Sequence, residues 1–123
     1  MTGNIQKTPR QHLIDLATWS LENRCCSTAD TIRELLLSLY NGDNKCDLSK
    51  VHNLDARRRQ ALAAVLVGIG TSTANLWDYD VRNTFAVVGG EQGLRWFLAP
   101  LHGIDDKIIR HFMAGVQRKA VAA

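Results

Sequence analysis

The chain has little cysteine: Cys25, Cys26 and Cys46 are the only three, an odd count that argues against a disulfide framework. It has no long apolar run. The longest, Ala61 to Val67, falls far short of the roughly 20 residues that a membrane-spanning helix needs. Its first ten residues, MTGNIQKTPR, contain no apolar segment of a secretory signal. The expected setting is therefore cytoplasmic and reducing, without a membrane partner. Internal repeats, low-complexity tracts and an interdomain linker are missing as well.

Motifs that carry chemistry are also missing. Val65-Leu66-Val67-Gly68-Ile69-Gly70-Thr71-Ser72 superficially resembles a strand entering a phosphate-binding loop. It lacks the third glycine of a dinucleotide fingerprint and the Gly-Lys-Ser/Thr ending of a nucleotidase loop. The run also continues a helical stripe from Leu62, so a helix that ends at Gly68 and Gly70 is the better reading. Cys25, Cys26, Cys46 and His52 do not supply the paired ligands, two to four residues apart, of a structural zinc site. His12, His52, His102 and His111 are scattered, and nothing local couples Cys46 to His52 as nucleophile and base. No paired carboxylates, nucleophile elbow or metalloprotease helix are present. The expectation is a protein that is not an enzyme and carries no cofactor and no metal.

What is present is helix punctuation. Hydrophobic residues make up 46% of 123 residues and charged residues 22%, both ordinary for one globular domain. Residues 1–7 read as a tail, and residues 8–123 as a single helical domain. Thr8-Pro9 opens a first helix with Leu13, Leu16, Ala17 and Leu21 on one face and Ile14 beside them. Ser27 or Thr28 caps a second, with Ile32, Leu35, Leu36, Leu39 and Tyr40 inward and Leu37 completing an almost wholly apolar circumference. Such a helix sits among several neighbours, or supports a homodimer. Asn41-Gly42 stops it. Asp47 caps a short turn through Val51. Asp55 caps a third helix with Leu62, Val65, Leu66 and Ile69 as its core stripe.

Beyond the polar Thr71 to Thr73 the pattern is weaker. Thr84 to Val88 is β-branched and aromatic enough for a strand, but nothing pairs with it, so helix or irregular structure is the better reading. Glu91 to Leu98 reads as a helix limited by Pro100, and Asp105 or Asp106 caps a last one with Ile108, Ile109, Phe112, Met113 and Val116 inward. The predicted fold is all-α, a compact bundle of about five helices.

Two features point to a binding surface. Arg57-Arg58-Arg59 stands in the first turn of the third helix, where positive charge opposes the helix dipole. Either the run pairs with acidic neighbours such as Asp55, Glu34 or Asp43, or it binds an external anion. Lys107, Arg110, Arg118 and Lys119 would add a second basic strip, in a chain of net charge +3. Trp19 and Trp96 fall off the apolar stripes of their helices, and Trp77 lies in the acidic stretch Asn75-Leu76-Trp77-Asp78-Tyr79-Asp80. Aromatic residues outside a core face are interface candidates.

Ala29 to Gly68 resembles a family of small helical proteins encoded on integrative elements, plasmids and prophages of proteobacteria. The shared pattern is the apolar helix ending in Leu39-Tyr40-Asn41, a short loop, Asp47-Leu48, Leu54-Asp55 and a further apolar helix. It covers about a third of the chain and consists mostly of helix-boundary residues. The family carries no assigned activity, so no catalytic residue is transferred. The resemblance implies a mobile-element origin, and small accessory proteins of such elements often bind host proteins, including restriction and CRISPR machinery. The expected function is that of a mobile-element accessory protein binding a host or element protein, of the anti-CRISPR or anti-restriction type. Its candidate contacts are Arg57, Arg58, Arg59, Trp77, Tyr79 and Trp96. The alternative is a helix-turn-helix-like regulator that binds nucleic acid with Arg57 to Gln60 at the head of its reading helix.

Overall fold

The computed structural model describes residues 8–40, 47–71 and 81–122. These form α1 (Pro9–Glu22), α2 (Ser27–Tyr40), a 3-10 helix (Leu48–Asn53), α3 (Ala56–Thr71), α4 (Val81–Leu98) and α5 (Asp106–Ala122), with no strand among them. The architecture is all-α, a compact helical bundle. No helix among the described residues is long and apolar enough to cross a membrane. The expected tail and the Trp77 to Asp80 stretch lie outside the described residues.

Local chemistry sets the helix starts. Thr8 closes a capping box: its hydroxyl accepts the Gln11 N–H at 3.1 Å, while its own N–H donates to the Gln11 side chain at 2.8 Å. The Asp47 carboxylate accepts from the Ser49 N–H at 2.9 Å and caps the 3-10 helix. The Ser49 hydroxyl also donates to it, and these bonds hold the Asp47 carboxyl below the usual range. Asp55 caps α3 through the Arg58 N–H at 3.4 Å, and Asp105 caps α5 through the Ile108 N–H at 2.9 Å. At α2 neither Ser27 nor Thr28 is the cap. Ser27 is already helical, and the Cys26 carbonyl accepts the first N–H bonds, from Ala29 and Asp30.

The interior is built from the expected faces. Leu13, Leu16 and Ala17 of α1 are buried, with Ile32, Leu35, Leu36 and Leu37 of α2 and Leu62 and Val65 of α3. α1 packs on α2, α3 and α4, and α2 packs on α1, α4 and the 3-10 helix. The apolar circumference of α2 that suggested self-association is thereby covered within one chain, apart from Leu39, 38% exposed. Two expectations for α3 are corrected. The helix runs through Gly68 and Gly70 to Thr71. Leu66, expected in the core stripe, is 48% exposed, because Ala61, Leu62 and Val65 already fill the face turned to the core.

Residues 84–88 are helical, the first half of α4. Strand-like composition yields here to burial: Thr84, Phe85 and Ala86 all pack inside. The helix breaks at Gly90, whose φ of 65° and ψ of −158° lie in a region essentially restricted to glycine. Phe85 and Phe97 stand 12 residues apart, a rise of about 18 Å in an unbroken helix. Their rings nevertheless stack with centroids 4.4 Å apart and planes 10° from parallel. The two halves of α4 therefore fold toward each other about Gly90. They approach so closely that a Cβ on Gly93 would lie 2.9 Å from the Phe85 carbonyl oxygen. Leu21 of α1 fills the elbow, with its side chain against Gly89 and Gly93.

The second half of α4 is tied to α5 at its end. The Arg95 guanidinium donates to Asp106 at 2.6 Å and to Glu91 at 3.4 Å. This bond holds the Asp106 carboxyl below the usual carboxylate range.

Gly90→Ala is expected to lower stability by about 1–3 kcal/mol, the cost of a non-glycine residue at that conformation. Gly93→Ala should cost at least as much, because backbone has to move. Gly115→Ala on α5, where an added Cβ meets nothing within 4 Å, should instead stabilise by about 0.5–1 kcal/mol. Urea denaturation of the three variants checks the ordering.

Candidate functional site

The arginine run takes its geometry from the pitch of α3. Successive helical residues point about 100° apart, so three neighbours cannot share one face. Arg57 and Arg58 turn toward α1, where both line a cleft of about 420 Å³, whereas Arg59 is exposed and does not line it. From α1 the cleft takes His12, Asp15, Trp19 and Glu22, spaced along one helical face, with Leu16 below them. Gln60 and Ala61 complete the α3 wall. A smaller groove of about 280 Å³ runs between α1 and the α4 elbow and shares Thr18 and Glu22 with the first.

Arg58 lies over Trp19, its guanidinium carbon 4.6 Å from the ring centroid. Such a stack is worth about 0.5–2 kcal/mol. It explains why Trp19 lies off the core stripe of α1: its ring bridges to α3. The Arg58 Nε–H is nevertheless buried and makes no hydrogen bond; with the Ser20 hydroxyl it is one of two such buried polar groups among the described residues. A buried donor without an acceptor costs roughly 1–3 kcal/mol.

The expected ion-pair partners are engaged elsewhere. Glu34 pairs with Lys50 at 2.9 Å, and the Asp55 carboxylate accepts backbone N–H at the head of α3. Asp43 lies outside the described residues. Among the described residues, the side chains of Arg57, Arg58 and Arg59 form no ion pair with a carboxylate. The cleft is amphoteric: Asp15 and Glu22 stand on the α1 wall and Arg57 and Arg58 on the α3 wall.

The other candidate contacts separate. Trp96 is half-buried in the α2–α4 seam, where the Arg33 guanidinium lies 4.5 Å from its ring centroid and donates to its carbonyl oxygen at 3.0 Å. Its ring also meets Phe85 at 5.9 Å. Trp96 thus joins helices of its own chain, away from the cleft-lining set. Trp77 and Tyr79 lie outside the described residues. Of the proposed second basic strip, Lys107 and Arg110 are exposed on α5, and the side chains of Arg118 and Lys119 lie outside the described set.

Cys25 and Cys26 are exposed in the α1–α2 turn, and Cys46 lies outside the described residues. N–H groups of Thr28 and Ala29 at the head of α2, with the Thr28 side chain, hold the Cys26 thiol below its ordinary pKa. No group of three or more His, Cys, Asp or Glu among the described residues is placed to hold a metal.

Of the α1 wall, Trp19 is among the interface candidates of the sequence, whereas His12, Asp15 and Glu22 are not. The signal for that wall was present in His12, Asp15, Trp19 and Glu22, a second helical face polar apart from one large aromatic. Comparison with protein-family models, with curated proteins and with solved structures finds no match to this chain.

Positive charge in the first turn of α3 works against the helix dipole. Arg57→Glu and Arg59→Glu are therefore each expected to raise stability by about 0.3–1 kcal/mol in urea denaturation at low salt. A loss of stability in both would mean that the arginines serve the fold.

Proposed function

We propose that this protein is a mobile-element accessory protein that binds a host or element-encoded protein, and that it inhibits a bacterial defence complex of the anti-CRISPR or anti-restriction type. The observation that carries the binding reading is the head of α3, where adjacent guanidiniums oppose the helix dipole without a carboxylate partner among the described residues. Arg58 recovers part of this cost by stacking on Trp19, whereas no such contact offsets it for Arg57 and Arg59 among the described residues, and an unoffset local cost suits a binding surface. The resemblance of residues 29–68 to proteins of integrative elements, plasmids and prophages supplies the mobile-element part. The reading needs no cofactor.

The outward side of α3 favours a protein over a nucleic acid. Leu66 and Val67 are 48% and 61% exposed there, with Ala63 also exposed. Aliphatic side chains beside arginine suit a protein interface better than a phosphate-lined groove. The buried face, Ala61, Leu62 and Val65, is committed to the core. A reading helix would have to enter the major groove on that apolar outer side.

The test is affinity capture of the tagged protein from a proteobacterial lysate, with and without nuclease. A stoichiometric protein partner that survives nuclease, and is lost from the folded Arg57→Glu/Arg59→Glu variant, is the expected result. Partners that vanish with nuclease would make the protein a nucleic-acid binder.

A further inference from the structure

We infer that the α1–α3 cleft receives an acidic side chain from a peptide segment of the protein partner, its carboxylate seated on Arg57 and Arg58 and its flanking basic groups facing Glu22. This inference rests on the reading of the protein as a protein-binding module. The α3 wall carries two guanidiniums, and neither forms an ion pair with a described carboxylate. A carboxylate entering the cleft is the acceptor that guanidinium groups bind with charge-assisted, two-pronged hydrogen bonds. Trp19 and Leu16 supply an apolar floor for the methylenes of the incoming side chain. A space of about 420 Å³ takes one or two side chains of a peptide, within the ordinary range of ligand sites.

The opposite wall selects the kind of anion. Asp15 and Glu22 stand across the cleft from the arginines. Duplex DNA carries a charge about every 1.7 Å, so it would press phosphates against those carboxylates. A peptide spaces its charges at will, and one that alternates acid and base complements both walls. Arg58 is pinned by its stack on Trp19, so it presents its fork already oriented, which lowers the entropy lost on binding.

The test uses the whole protein and three capped hexapeptides: alternating Glu and Lys, all Glu, and all Lys. A short DNA duplex serves as the fourth probe. Binding is followed by NMR at the side-chain Nε–H signals of Arg57 and Arg58 and the indole N–H of Trp19. The alternating peptide is expected to shift all three and to bind most tightly, with all-Lys weakest. Arg57→Gln should weaken it by about tenfold, the loss of one charge-assisted contact. Glu22→Gln should weaken the alternating peptide and tighten the all-Glu peptide, a reversal that a merely structural role would not produce. Cleft signals unmoved at millimolar peptide would overturn the inference, as would equal shifts with all-Lys. Tighter binding of the duplex at the same signals would assign the cleft to nucleic acid. If the lysate partner is captured while the peptides leave the cleft unmoved, the cleft assignment fails and the protein-binding reading stands; if no partner is captured, that reading itself fails.

Discussion

The break at Gly90 is the constraint on which the rest of the structure depends. An unbroken α4 would hold Phe85 and Phe97 about 18 Å apart along its axis, and the core would lose its aromatic centre. Bent at a conformation that only glycine adopts without strain, the helix brings the two rings to 4.4 Å and both are fully buried. Burying a phenylalanine side chain is worth about 1.5–3 kcal/mol, and a stacked pair adds about 0.5–1.5 kcal/mol. The same bend makes the notch that receives Leu21, so it sets the position of the C-terminal half of α1. Trp19 and Glu22 belong to that half, which ties the cleft to the elbow.

Arginine has a second structural use here. Among the described residues, three arginines lie over aromatic rings across helix pairs: Arg58 over Trp19 joins α3 to α1, Arg33 over Trp96 joins α2 to α4, and Arg82 over Phe112 joins α4 to α5. Each clasp sits at the edge of the core, where the guanidinium stem covers apolar surface and the charged end keeps access to solvent or a carboxylate. Arg33 also reaches Asp30 at 3.2 Å. Arg58, unlike Arg33, forms no ion pair with a carboxylate among the described residues.

Much of the fold was legible because helix ends and apolar stripes are local properties. Thr8, Asp47, Asp55 and Asp105 cap as their neighbours require, and Leu13, Leu16, Ala17, Leu94, Phe97 and Leu98 are buried as their spacing requires. Gly68 and Gly70 were misleading because glycine permits a helix end without compelling one, whereas Gly90 breaks its helix because the Phe85–Phe97 contact rewards the bend. That reward is non-local and invisible in a window of sequence. The candidate site was half legible. Arg57 to Arg59 stood out through their conflict with the helix dipole, but the division that sends Arg57 and Arg58 to the cleft and Arg59 outward depends on where α1 docks. Trp96 was singled out for lying off its stripe, yet a ring off the stripe of one helix fills the seam beside another.

The stacked phenylalanines offer the most direct test of this account. Protein carrying protonated phenylalanine rings in a deuterated background has three ring systems, Phe85, Phe97 and Phe112. Ring-to-ring nuclear Overhauser effects between Phe85 and Phe97 are predicted to be strong, at a separation of 4.4 Å between centroids. Their absence in the folded protein would mean that α4 is unbroken, and with it the elbow, the seat of Leu21 and the placement of the cleft would all be contradicted.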